Sequence, residues 1–186
     1  MDSSKFILRN KFLFIRKKNY KLVKNFNFAP VVNLIKKYFR NKKIIIAGYY
    51  PINYEVDILP FFKLAYKKKI RIALPVILPL NKMTYKIWNY QEPLNINNFG
   101  VLEPRKSNEQ VIPDLVMVPL VAYDNQLNRL GYGKGYYDRS LRKIKKIKKD
   151  IIFLGIAHSF QKYKKIPINK YDYKLDYILT EQGIIS

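Results

Sequence analysis

The chain has 186 residues, 48% of them apolar, which suits one domain with a buried core and not a disordered polymer. It has no cysteine and one histidine, His158, which excludes disulfides, thiolate zinc sites, cysteine nucleophiles and histidine-cluster metals. Any metal must then be a hard ion on oxygen ligands, such as magnesium, calcium or manganese. The net charge of +23 rests on 36 basic residues, of which Arg9, Arg16, Arg40, Arg71, Arg105, Arg129, Arg139 and Arg142 are the arginines and the rest lysines, all dispersed along the chain. With Asn, Ile, Tyr and Phe also abundant, drift toward AT-rich codons accounts for that profile better than a nucleic-acid surface does.

In chain order, Met1 to Tyr20 interleaves Lys and Arg with Phe, Ile and Leu and lacks the continuous apolar core of a secretory signal. It is basic and poor in acid, a composition shared with organellar targeting segments. The absence of cysteine and of an export signal favours the cytoplasm, and no apolar run reaches the roughly 18 residues of a membrane helix. Phe6 to Val23 reads as a helix. Val31 to Phe39 reads as another, with Val31, Leu34, Ile35, Tyr38 and Phe39 on one face. Ile44 to Ala47 is a short apolar run that stops at Gly48, as a buried strand does. Val56 to Tyr66 is helical, with Pro60 in the first turn. Buried strands follow at Ile70 to Ile77 and Leu115 to Val121, a helix at Tyr136 to Lys149, and strands at Ile151 to Ile156 and Tyr177 to Thr180. The alternation predicts an α/β fold: a single-domain, three-layer, Rossmann-like open sheet, largely parallel, with helices on both faces and ligands at the carboxyl ends of the strands. One domain over 1–186 is expected.

The most informative stretch is DLVMVPLVAYDNQLNRLGYGKGYYDRSL, from Asp114 to Leu141. An apolar strand leads to a polar turn, then to Arg129-Leu130-Gly131-Tyr132-Gly133-Lys134-Gly135-Tyr136-Tyr137-Asp138-Arg139, which opens a helix. Glycines at alternate positions let successive amides converge on phosphate oxygens. The helix start turns its positive end to the same anion. Lys134 and Arg129 add charge, and Asp138 is placed for a magnesium ion that bridges phosphates. The string is neither a Walker loop nor a dinucleotide fingerprint.

RLGYGKGYYDR resembles the signature of the 5-formyltetrahydrofolate cyclo-ligases. The likeness is colinear from about Lys5 to Gly183. It includes Ala47 to Asp57, Ala73-Leu74-Pro75-Val76, Met83, Trp88, Phe99 to Pro104, Ile166-Pro167, Asp172 and Leu175 to Glu181. The resemblance implies ATP contacts at Lys5 and Arg9, four residues apart on one helix face, and across Arg129, Leu130, Gly131, Tyr132, Gly133, Lys134, Gly135, Tyr136 and Tyr137. It implies folate contacts at Tyr50 and Glu55 and from Tyr132 to Tyr136, magnesium on Asp138 and Asp176, charge neutralisation by Lys134 and Arg129, and orientation of the formyl group by Tyr132 or Tyr136, with Tyr136 taken as the catalytic one. Glu55 suits a pterin, whose amide N–H and exocyclic amine are adjacent donors. Each assignment has a plainer alternative. Lys5 and Arg9 also read as a solvated basic face, Asp138 as a helix N-terminal acid, Asp176 as a cap beside a strand. Tyr49, Tyr50, Trp88 and Phe99 read as ring-packing residues or as core. Leu120 stands where relatives more often carry glycine. His158 has no triad partner at a suitable spacing and is expected to be a surface or hydrogen-bonded structural residue.

The implied reaction closes 5-formyltetrahydrofolate to 5,10-methenyltetrahydrofolate, with ATP as co-substrate, Mg2+ as cofactor, and ADP and phosphate as by-products. No protein nucleophile is required. Small-molecule substrates, no obligate nucleic acid, no membrane and a monomer are expected. The competing readings are a degenerate folate or nucleotide binder without turnover, and a basic RNA-binding α/β module.

Overall fold

Apolar runs too short for helices, and broken by Gly, Pro or Asp, become the centre of a sheet. In the computed structural model, which describes residues 3–23, 26–40 and 42–186, the first half of the chain forms α1 (Ser3–Asn19), α2 (Ala29–Tyr38), β1 (Ile45–Ala47), α3 (Leu59–Lys67), β2 (Arg71–Leu78), β3 (Lys82–Ile87), β4 (Asn95–Ile96) and β5 (Leu102–Glu103). The second half forms β6 (Gln110–Val111), β7 (Leu115–Pro119), β8 (Ala122–Tyr123), β9 (Arg129–Leu130), α4 (Tyr136–Ile147), β10 (Ile152–Ile156), β11 (Tyr177–Thr180) and β12 (Gly183–Ile185). Among the described residues, no helix is long and apolar enough to cross a membrane.

Eight strands pair in the order β12-β11-β10-β7-β1-β2-β3-β6. The strands from β11 to β2 are mutually parallel. β12 closes one edge antiparallel, and β3 and β6 close the other. Side chains alternate across the sheet as the strand repeat requires. Ile46, Ile72, Leu74, Met117 and Leu154 meet Val31 and Leu34 of α2 and Phe61 and Phe62 of α3 on one face. Ala47, Ala73, Val116, Val118 and Phe153 meet Leu141 and Ile144 of α4 on the other. The fold is the three-layer, largely parallel α/β sheet expected from the alternation.

Several boundaries differ from expectation, for local reasons. The first helix ends at Asn19, whose side chain donates to the Ile15 carbonyl (2.8 Å), and Tyr20–Leu22 is a 3-10 turn. The third helix begins at Leu59 rather than Val56, because Asp57 accepts the Leu59 amide (2.9 Å) and Pro60 fills the first turn. β7 stops at Pro119, since the Val121 amide turns away to pair with the Leu130 carbonyl (2.7 Å) in the β8–β9 ribbon. The antiparallel strands β3, β6 and β12 were not expected.

From β1 the chain adds β2 on one side and later β7 on the other. In open parallel sheets such a reversal marks a crevice beyond the carboxyl ends of the flanking strands, here β1 and β7, as the usual ligand site. The segments that follow are Gly48 to Asp57 and Leu120 to Asp138. α1 lies against the second, with Leu8 and Phe12 packed on Val121, Ala122, Leu130 and Ile166.

Candidate active site

β9 delivers Arg129 and Leu130 to the start of the glycine loop. Gly133 (φ 94) and Gly135 (φ 68) lie in the left-handed region, and Gly135 is the residue before α4. Gly131 is outside that region. An arginine lies over each glycine. A Cβ at Gly131 would sit 3.2 Å from Arg129 Nη1, one at Gly133 3.0 Å from Arg9 Cζ, and one at Gly135 2.7 Å from Arg139 Nη1. The bare loop thus lets three guanidinium groups close on one stretch of backbone. Arg9 Nε also donates to the Gly131 carbonyl (2.8 Å), and Arg139 Nη2 to that of Lys134 (2.9 Å). Such a concentration of cations at a helix start makes the local potential positive, as at anion sites generally.

Arg129 is buried, paired with Asp138 through Nη2 and Oδ1 (2.6 Å), and lies 5.7 Å from the centre of the Tyr137 ring. Its Nε has no partner among the described residues. Lys134 is exposed, with Nζ 5.9 Å from the Phe99 ring, which meets Tyr136 edge-on at 6.0 Å. Tyr136 donates to Asn81 Oδ1 (3.3 Å) at the β2–β3 turn. Lys134, Phe99 and Tyr136 form an outer rim, while Arg129 lies deeper.

Lys5 and Arg9 share a helix face but have different partners. Arg9 reaches the loop, and burial lowers its pKa. Lys5 pairs with Asp172, which also holds the Asn169 amide (2.7 Å).

Across the crevice, a tight turn with Asn53 (φ 48) and Tyr54 (φ 63) swings Glu55 inward. Glu55 Oε2 accepts the Ile52 amide (3.0 Å) and Oε1 the Tyr132 hydroxyl (3.0 Å). Burial lifts its pKa to about 7, against the opposing pull of the Ile52 amide, Arg16 and Tyr132. The Tyr132 phenol is pushed up to about 12, chiefly by burial and then by Glu55. Tyr50 is half-buried beside Tyr49. Tyr49 donates to the Val56 carbonyl (2.9 Å) and Trp88 Nε1 to that of Glu92 (2.9 Å), so both belong to the core, whereas Phe99 is exposed.

Sequence reasoning missed Arg16 and Arg139. Arg16 is buried, donates through Nη1 to the Leu120 carbonyl (3.1 Å), and reaches the Tyr132 hydroxyl through Nη2. The signal was present: Lys5, Arg9, Phe12 and Arg16 fall on one helical stripe. His158 is buried rather than on the surface. It stacks on Phe160 at 4.9 Å, and its Nδ1 has no partner among the described residues.

Of the two acids expected to hold magnesium, Asp138 accepts Arg129 and the Tyr173 amide (3.1 Å) on Oδ1. Asp176 accepts the Phe153 amide on Oδ2 (2.8 Å). It stands before β11, at the amino end of its strand, in the capping role that was its plainer reading. No contact joins the two acids. Each keeps one oxygen without a protein donor among the described residues, so each fits a hard oxygen-seeking cation as a single ligand.

An arginine-lined glycine loop meeting a partly buried carboxylate at the switch point of a largely parallel sheet defines the chain as an α/β protein with an enzyme-like site. Residues 3–181 match the model of the 5-formyltetrahydrofolate cyclo-ligase family. The 5-formyltetrahydrofolate cyclo-ligase of Haemophilus influenzae is 31% identical over 141 residues, covering 73% of this chain and 74% of its own. That of Escherichia coli K12 is 30% identical over 145 residues, covering 75% and 79%. The solution structure of Aquifex aeolicus 5,10-methenyltetrahydrofolate synthetase superposes with a TM-score of 0.74 at 31% identity, covering 97% of this chain and 91% of that one. The Mycoplasma pneumoniae 5,10-methenyltetrahydrofolate synthetase gives 0.69 at 25% identity, covering 96% and 98%. The chain belongs to the 5-formyltetrahydrofolate cyclo-ligase family and is an enzyme of that kind.

Proposed function

We propose that the chain catalyses the ATP- and magnesium-dependent closure of 5-formyltetrahydrofolate to 5,10-methenyltetrahydrofolate. The observation that carries the reading is the convergence of Arg9, Arg129 and Arg139 on the glycine loop, whose Tyr132 donates to Glu55 from the segment after β1. ATP phosphates on the loop and a pterin on Glu55 would bring the formyl oxygen to the γ-phosphate.

The formyl oxygen attacks the γ-phosphorus and ADP leaves. Phosphorylation turns an amide-like oxygen into a leaving group. N10 then attacks the activated carbon, loses its proton, and phosphate departs as the five-membered ring closes. Arg9, Arg129, Arg139 and Lys134 balance charge on the transferred group, and the loop amides orient it. Tyr50 and Tyr136 border the folate. Asp138 would hold magnesium, which would supply neutralising charge beside the loop; Asp176, at the amino end of β11, is the second candidate. Lys5, held by Asp172, supports the α1 wall.

The test follows the near-ultraviolet absorbance of the methenyl product. Product that requires 5-formyltetrahydrofolate, ATP and magnesium together supports the reading. ATP binding without product leaves a non-catalytic relative, and neither ATP binding nor product removes the proposal. Lys134→Ala should lower turnover by orders of magnitude with the fold intact; Asp138→Ala should do so too but also lower stability, since it leaves buried Arg129 without its carboxylate, and wild-type rates in both would remove these roles.

A further inference from the structure

Arg16 is 1% exposed, yet the acceptors it reaches are neutral. One is the Leu120 carbonyl, the other the Tyr132 hydroxyl. Its guanidinium carbon lies 5.6 Å from the centre of the Tyr132 ring, and its Nε has no partner among the described residues. A guanidinium buried for stability alone normally forks onto a carboxylate, because an unpaired buried charge is strongly destabilising. Here the carboxylate is one phenol away. A phenol has one proton, and Arg16 can only donate. With Arg16 filling the acceptor side of the Tyr132 oxygen, the proton is directed to Glu55 Oε1.

We infer that Arg16 is a positioning residue for the folate half of the site, holding Tyr132 as a donor to Glu55 so that the carboxylate keeps its remaining lone pairs for the ring. The inference rests on the folate reading of Glu55. The groups that face Glu55 are Arg16 from α1, Tyr132 from the loop, Tyr137 from α4 and Tyr49 from its own segment, and Arg16 is the cation among them. Arg16 therefore links the helix that carries Arg9 to the opposite wall of the crevice. Lysine would keep the charge but cannot hold Leu120 and Tyr132 with one fixed fork.

The experiment is calorimetric binding of 5-formyltetrahydrofolate and, separately, of ATP to the full chain, across pH, for Arg16→Lys, Tyr132→Phe and the double variant. Loss of a charge-assisted bond predicts about tenfold weaker folate binding in Arg16→Lys, with ATP affinity held within about twofold. The double variant should bind the folate no more weakly than Tyr132→Phe alone. The midpoint of the acid-side loss of folate binding should move up in both single variants as Glu55 loses its donor. Parallel losses for both ligands, additive losses in the double variant, or unchanged folate binding in Arg16→Lys would each overturn the inference. Wild-type protein that binds no folate would overturn the reading beneath it, a distinct result. Tyr132→Phe alters a partly exposed residue, so the relay stays testable if Arg16→Lys fails to fold.

Discussion

Glu55 titrates near neutrality because burial opposes its charge more strongly than its donors favour it. Its folded pKa, about 7, lies above its unfolded one, 4.5. The native state therefore holds the proton more tightly. Glu55 contributes its stability fully below the unfolded pKa and loses that contribution as pH rises through about 7. Glu55→Gln is expected to raise the unfolding free energy at pH 8 by about 2 kcal/mol and to change it little at pH 4, which chemical denaturation at both pH values would measure. Ligand binding asks for the opposite form. A carboxylate that accepts two ring donors must be ionised, so kcat/KM for the folate should fall below about pH 7. A wild-type acid limb persisting in Glu55→Gln would assign that limb elsewhere. The glycines make a second residue-scale prediction. Gly133→Ala and Gly135→Ala impose left-handed strain and displace Arg9 or Arg139. Each should cost about 1–2 kcal/mol in thermal or chemical unfolding and weaken ATP binding. Gly131→Ala, with ordinary backbone and only Arg129 nearby, should be milder in both measurements. The glycine string was legible in sequence because loop chemistry is local. Arg16 was missed because its partners, Leu120 and Tyr132, lie more than a hundred residues away.

Among elements, the parallel strands were the most legible, because strands covered on both faces read as unbroken apolar runs, as Ile151 to Ile156 does. Lys82–Ile87 carries two lysines and a threonine, and its pairing with β2 is set by the turn at Leu80 and Asn81, both at positive φ. Nothing local distinguishes such a segment from a loop. Two parallel strands share a device at their amino ends. Asp114 precedes β7 and accepts the Ile45 amide of β1 (2.8 Å), as Asp176 precedes β11 and accepts the Phe153 amide of β10. Each carboxylate completes a neighbouring strand where the ladder begins. Asp114 is also paired with Lys148 (2.5 Å) after α4. Asp114→Asn should therefore lower stability by about 1–3 kcal/mol while leaving the magnesium requirement unchanged. Asp176→Asn separates its two readings: a strand cap alone predicts the same pattern, and a metal ligand also predicts a raised magnesium requirement in the absorbance assay.

For the whole molecule, a net charge of +23 repels itself. Raising salt from low to moderate concentration should increase the melting temperature in a thermal scan, as screening shortens the reach of that repulsion. The same salt should raise the KM for ATP, because the cations around the loop that attract the nucleotide are screened together. A melting temperature that falls with salt would place the balance in favourable ion pairs instead. Architecture followed from the alternation of apolar runs. The convergence of the first helix on a loop in the last third of the chain did not, because only tertiary packing brings Leu8 and Phe12 onto Val121 and Leu130. That convergence bears on biosynthesis. α1 leaves the ribosome well before Leu120, Gly131, Tyr132 and Asp172, which receive its cations. At the usual pace of translation the helix waits roughly ten to thirty seconds for them. For that interval a basic, aromatic segment is without its native cover, and the site is complete only when both halves are in place.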